Sequence, residues 1–224
     1  GFHVKDNTAP IIWTGCDIGP LGDDAFNLSA VNLNVNTVNA DQRTIGMTPA
    51  EGPVTRPDIK PGDDFVAYDL KSGKEIGRGK VEAIVSSGDP VCFRSNVPLP
   101  GLKTGMQIGV YSYANPGAVI KDCTIEGTVR VRSMTTFQNV KFNVFWVMVE
   151  NEYYIEGPIP KDILFKNCTF STPYTGNPNI FMVGTQNSIG RRNADYKCKN
   201  IVLDGCKFTN GKYYIENGNE VIFK

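Results

Sequence analysis

The sequence predicts an all-β chain, a parallel β-helix (solenoid) interrupted by a small antiparallel β-barrel or sandwich. Three observations predict it: a recurring phrase, the period-two alternation inside it, and one long stretch of different character. The phrase is two or more apolar residues, two polar ones, then Cys-x-[Ile/Phe]. It reads IIWTGCDI at Ile11–Ile18, VIKDCTI at Val119–Ile125, DILFKNCTF at Asp162–Phe170 and NIVLDGCKF at Asn200–Phe208. A degenerate copy, TFQNVKF at Thr136–Phe142, carries Val140 in place of the cysteine. After each copy a turn is expected, then a second strand-like run: DDAFNLSA, VRVRSM, NVFWVMVEN, NIFMVGTQN or YYIENGN. Self-similarity of this kind marks stacked units, none of which buries its apolar face alone. Alternation with period two marks strand, not helix.

Four of the six cysteines, Cys16, Cys123, Cys168 and Cys206, fall in one slot of the phrase. Residues sharing a slot stack at about 4.8 Å per coil and point the same way. They are therefore expected to be small buried hydrophobes in a ladder, not disulfides. No metal and no cofactor is expected, since there is one His and no Cys-x-x-Cys pair. Cys92 and Cys198 lie off the ladder.

Between Cys16 and Cys123 the spacing is far longer than a coil needs, so roughly 80 residues are inserted. Within them FVAYDL, KVEAIV, VCFRS and QIGVYSY alternate between PGDD, KSGKE, SSGD and PGLKTG turns. That is the pattern of a small antiparallel barrel or sandwich. The expected division is residues 1–30 and 117–224 for the β-helix and 31–116 for the insert, whose ends should lie close together.

Bulk properties exclude several classes. Lys and Arg total 23, as do Asp and Glu, so the net charge of zero offers no basic footprint for nucleic acid or an anionic membrane. A hydrophobic content of 41% suits a folded globule. No run of apolar residues is long enough for a membrane span. The chain opens in mid-pattern at FHVKDN, as a mature exported protein or the C-terminal part of a longer β-helix would. Nucleotide fingerprints and Ser-His-Asp arrangements are absent.

The sharpest polar cluster is Gly22-Asp23-Asp24. Adjacent acids on a regular strand point to opposite faces, but at a bend or bulge both reach solvent. Two close carboxylates push one pKa upward, which suits acid–base work. The plainer reading is turn chemistry, because PGDD recurs at Pro61–Asp64. One coil on, Arg130 and Arg132 are placed to line the same face, or simply a solvated one. Two coils on come Trp146, Glu150, Glu152 and then Glu156. Carboxyls one or two coils apart span the separations that retaining and inverting glycosidases use. Trp146 and Tyr153–Tyr154 are candidate platforms for a pyranose, or core. His3 sits about one coil upstream of the pair. The irregular loops YYIEGPIPK, TPYTGNP and SIGRRNADYKCK are candidate site walls.

Taken together, CDIGPLGDDAFNLSA, the insert IKPGDDFVAYDLKSGKEIGRGKVEAI, then VIKDCTI–VRVR and NVFWVMVENEYYIEGPIPKDILFKNCTF resemble glycoside hydrolase family 110. Its members are exo-acting α-1,3-galactosidases, found mainly in gut bacteria, that hydrolyse terminal galactose with inversion. The resemblance runs from about Ile11 to Phe170. It implies a right-handed parallel β-helix interrupted by a β-barrel, in an exported, periplasmic or cell-surface protein. It also implies that Asp23 and Asp24 match the family's catalytic acidic pair and that Glu156 matches a loop acid near the substrate. On that basis Asp23 and Asp24 are the expected catalytic carboxylates. Arg132, Glu156, Trp146 and Arg130 are expected to bind a galactose-terminated glycan. The chain departs from the family at Leu28-Ser29-Ala30, where a His-Gly ending is usual, and at Ser133, where Gly is usual. A further acid expected one coil upstream is replaced by the neighbourhood of His3 and Asp6. Two other readings stand beside this one: a non-catalytic β-helix that binds glycans or serves assembly, and another β-helix polysaccharide-degrading enzyme such as a polygalacturonase.

Overall fold

The computed structural model describes residues 1–50, 58–69, 72, 74–88, 90–132, 134–149, 156–176, 178–184, 197–216 and 218–224. The chain begins with β1 (Phe2–Lys5), β2 (Ile12–Thr14), β3 (Asp17–Ile18) and β4 (Asp24–Ser29). It continues with β5 (Leu33–Val38), β6 (Thr44–Pro49), β7 (Asp64–Tyr68), β8 (Glu75–Ser86), β9 (Val91–Ser95) and β10 (Gln107–Val110). Next come β11 (Ala118–Lys121), β12 (Thr124–Arg130), β13 (Thr135–Gln138), β14 (Lys141–Val149) and β15 (Lys161–Lys166). The last strands are β16 (Thr169–Ser171), β17 (Asn179–Val183), β18 (Lys199–Asp204), β19 (Lys207–Phe208), β20 (Lys212–Ile215) and β21 (Val221–Phe223).

These strands form two parallel sheets and one closed antiparallel barrel. The first sheet runs β1-β4-β12-β14-β16-β19, with β3 beside β12, β17 beside β14, and β20 beside β17. The second runs β2-β11-β13-β15-β18-β21. From β11 onward the chain alternates between them, one unit of the repeat supplying strands to each. Their facing side chains make one core of stacked rings: Phe137 on Phe165 at 4.9 Å, Phe142 on Phe170 at 4.9 Å, and Phe170 on Phe208 at 4.8 Å.

The polar dyad in the repeated phrase has a backbone cause. Its second residue, Gly15, Asp122, Asn139, Asn167 or Gly205, has positive φ, between +53° and +65°. Gly, Asn and Asp are the residues that tolerate this conformation. The turns stack as well: Asn139 Nδ2 donates to Asp122 Oδ1 at 2.8 Å, and the Asn167 amide N–H donates to the Asp204 carbonyl at 2.7 Å. Asn167→Val places a β-branched residue in that region and is expected to cost about 1–3 kcal/mol. Urea denaturation beside Asn167→Gly, expected to cost much less, checks it.

The next slot is the ladder. Backbone bonds tie it from one unit of the repeat to the next: Thr124 N to Cys16 O, Lys141 N to Cys123 O, Thr169 N to Val140 O and Lys207 N to Cys168 O, at 2.9–3.0 Å. All six cysteines are free thiols. Hydrogen bonding to Cys206, followed by burial, pushes the Cys168 thiol far above its ordinary range, so it stays protonated and inert. Since Val140 already fills the same slot in the neighbouring unit, Cys168→Val is expected to change stability by less than about 1.5 kcal/mol. Thermal melting measures that directly.

The insert closes into a barrel in the order β10-β5-β6-β9-β8-β7. Leu33, Val35, Ile45, Met47, Phe65, Phe93 and Ile108 fill it. Two of its strands, β5 and β6, were not among those read from the sequence, and Tyr111–Tyr113 is a single 3-10 turn where strand was expected. The expected turn after the phrase is also missing in two units. There β12 and β14 run on unbroken, because TIEGTVR and KFNVFWVMV carry no turn-forming pair. Val66, Tyr68 and Tyr111 of the insert join the core of the parallel sheets. Tyr111 Oη also donates to the Ile159 carbonyl at 2.9 Å.

Candidate functional site

Two bulges set the site. In β14 the register with β12 passes from Gly127↔Val144 to Thr128↔Trp146, so Phe145 is the extra residue. Inward alternation breaks there: Phe142, Val144, Val147 and Val149 are buried, while Phe145 and Trp146 both reach the surface. In β4 the register passes from Thr128↔Asp24 to Val129↔Phe26, which makes Ala25 extra. Bulges bend a strand and re-aim its side chains, and here two lie on neighbouring strands of one sheet. Gly127, with φ +134°, permits the close approach between them, since a Cβ would lie 3.0 Å from the Asp23 carbonyl oxygen.

Asp24, Thr128 and Trp146 therefore fall on one line across three adjacent strands. That line floors an open cavity of about 540 Å³. Gly22, Asp23, Asp24 and Arg130 form its polar side; Phe145, Trp146 and Tyr174 form its aromatic side. The Tyr174 ring lies 4.8 Å from that of Phe145. Two strand spacings, about 10 Å, separate the acid from Trp146.

A chain of polar contacts stands behind the acids. Arg130 Nε donates to Asp24 Oδ1 at 3.0 Å and Oδ2 at 3.2 Å. Asn27 Nδ2 donates to Asp24 Oδ2 at 3.2 Å and to Glu156 Oε2 at 3.1 Å. Arg132 Nη1 donates to Asn27 Oδ1 at 3.0 Å, and Arg132 Nη2 lies 3.4 Å from Glu156 Oε2. The Arg132 side chain is wholly buried, and Gly157 packs on it: a Cβ there would lie 3.1 Å from Arg132 Cδ.

Four of the six residues singled out from the sequence, Asp23, Asp24, Arg130 and Trp146, thus line one cavity. Arg132 and Glu156 do not. They stand behind the lining: the Arg132 side chain, just past the end of β12, is wholly buried, and Glu156 is 15% exposed beside it. His3 pairs in register with Asn27, and its Nε2 lies 3.0 Å from Ser29 Oγ; it is not part of the cavity lining. Glu150, Glu152, Tyr153, Tyr154 and Ser133 lie outside the described residues. Asn27, Thr128, Phe145 and Tyr174 were not anticipated individually, although the TPYTGNP loop holding Tyr174 was read as a site wall. Among the described residues no cluster of three or more His, Cys, Asp or Glu is placed to hold a metal ion. No helix of the described residues is long and apolar enough to cross a membrane.

Compared with known proteins, the chain matches no protein-family model and no curated protein sequence.

Proposed function

We propose that this chain is a right-handed parallel β-helix that binds and hydrolyses a terminal, α-linked galactose in the cavity beside Asp23. The observation that carries the reading is the line Asp24–Thr128–Trp146, which sets carboxylates against an aromatic wall across a cavity of monosaccharide scale. The handedness rests on the parallel strands that alternate between two sheets, a connection that is right-handed almost without exception. Asp24 is ringed by the donors Arg130 and Asn27. Asp23 is exposed at the bend and supplies the second carboxylate. In an inverting hydrolysis one of them activates water while the other protonates the departing oxygen. Trp146 and Phe145 offer faces for the apolar side of a pyranose. The cation lining the cavity, Arg130, is bound to Asp24, which suits a neutral sugar better than the uronate of a polygalacturonase. Action on glycan ends fits an exported protein.

The test is hydrolysis of an α-1,3-linked galactose disaccharide followed by proton NMR. β-Galactose appearing first supports inversion; α-galactose appearing first overturns it. A second reading, a non-catalytic glycan-binding module, is favoured by one observation: both oxygens of Asp24 are already engaged by donors. Saturable galactose binding without turnover would establish it.

A further inference from the structure

A second cavity, of about 300 Å³, lies where the barrel meets the second parallel sheet. It is unrelated to the acids of the first. Strands β7 and β8 supply Phe65, Arg78, Gly79 and Lys80, and Tyr111 and Lys161 close it from the other side. The cavity exists partly because residue 79 has no side chain. A Cβ there would sit 3.0 Å from the Phe65 ring, from Asn96 Oδ1 and from Val97 Cγ2.

Charge decides what would enter. Lys161 Nζ hangs 4.1 Å over the Tyr111 ring and reaches the Asp162 carboxylate at only 3.8 Å. Lys80 pairs with Asp64 at 2.8 Å, and both stand about half exposed at the rim. Arg78 Nε and Nη2 grip Glu75 at 2.8 and 2.9 Å, while its Nη1 donates to Tyr111 Oη at 3.0 Å. Lys199, one strand over from Lys161, reaches Glu75 at 3.9 Å. Of the three cations lining the cavity, Lys80 and Arg78 hold carboxylates at 2.8 Å, whereas Lys161 reaches one only at 3.8 Å, so Lys161 is the head left to take one negative charge. That matches a single negative charge, not the double charge of a phosphate.

We infer that this junction is a binding site for a small organic monoanion, its carboxylate on Lys161 and Lys80 and its body over Gly79 between Phe65 and Tyr111. The volume lies at the lower end of small-ligand pockets, and such sites favour domain junctions. Occupancy would tie β7 and β8 of the barrel to β15, stabilising the junction by mass action. The site is independent of the glycosidase reading.

The experiment is an amide NMR titration of the full chain with sodium glucuronate, with glucose as neutral counterpart and inorganic phosphate as dianion. Saturable shifts at Gly79, Val97 and Lys161 are expected with glucuronate, and none that saturate there with glucose. Lys161→Met is expected to weaken glucuronate binding by about tenfold. Lys80→Met serves the same purpose should that variant not fold, and Gly79→Val should abolish binding by filling the cradle. Asp23→Asn should leave the titration unchanged. No saturable shifts at this junction, an equal response to glucose, or unchanged affinity in a folded lysine variant would overturn the proposal. Tighter binding of phosphate would overturn the assignment of a monoanion.

Discussion

Arg132→Met is expected to destabilise the chain by about 3 kcal/mol, the lower end of what breaking a buried ion pair costs. The methionine fills much of the same volume, so the loss is electrostatic and not a cavity. It leaves Glu156 with 15% of its side chain exposed, held by Asn27, and it removes the guanidinium from Asn27 Oδ1. The lower end applies because Glu156 keeps that exposure and one donor. Urea denaturation measures the change. A second substitution, Glu156→Gln, should restore part of it, because the neutral amide no longer needs a cation. A loss below about 0.5 kcal/mol, the level of an ordinary surface substitution, would mean that the network contributes little.

The two aspartates should separate in a different way. Asp23→Asn is expected to lower turnover by about 10²–10⁴, the range for loss of a general acid or base. Because Asp23 is exposed at a bend, its stability should stay within about 0.5 kcal/mol of wild type. Asp24→Asn should lower turnover comparably and also cost about 1–3 kcal/mol, since it weakens two contacts from Arg130 and one from Asn27. Steady-state kinetics beside thermal melts on both variants distinguishes a reacting carboxylate from a structural one. Loss of stability in both with turnover unchanged would leave the acids as turn and scaffold residues.

The repeat was legible because it is imposed residue by residue. Gly15, Asp122, Asn139, Asn167 and Gly205 satisfy a left-handed backbone position, and the slot after them takes a small residue that is buried at Cys123, Val140 and Cys168 and partly buried at Cys16 and Cys206. The barrel was half legible. Strands such as FVAYDL sit between strong turns, whereas VNLNVNTV and RTIGMTP carry polar residues that blur their alternation. The bulges were not legible, since one extra residue at Ala25 or Phe145 shows only when neighbouring strands are set in register. The pairing of Phe145 with Trp146 followed from that hidden shift. So did the reach of Tyr174, although its loop had been read as a wall. The burial of Arg132 was hidden for a related reason: alternation along VRVR places it beside Arg130, but β12 ends at Arg130 and the Arg132 side chain lies wholly buried.

The most direct measurement is turnover of p-nitrophenyl α-galactoside and of an α-1,3-linked galactose disaccharide by the wild-type chain beside Asp23→Asn. Release of galactose by the wild type, lost in a variant that melts at the same temperature, is the expected result. Equal rates in the two proteins, or no turnover by the wild type despite saturable galactose binding in the cavity, would contradict a catalytic role for these carboxylates.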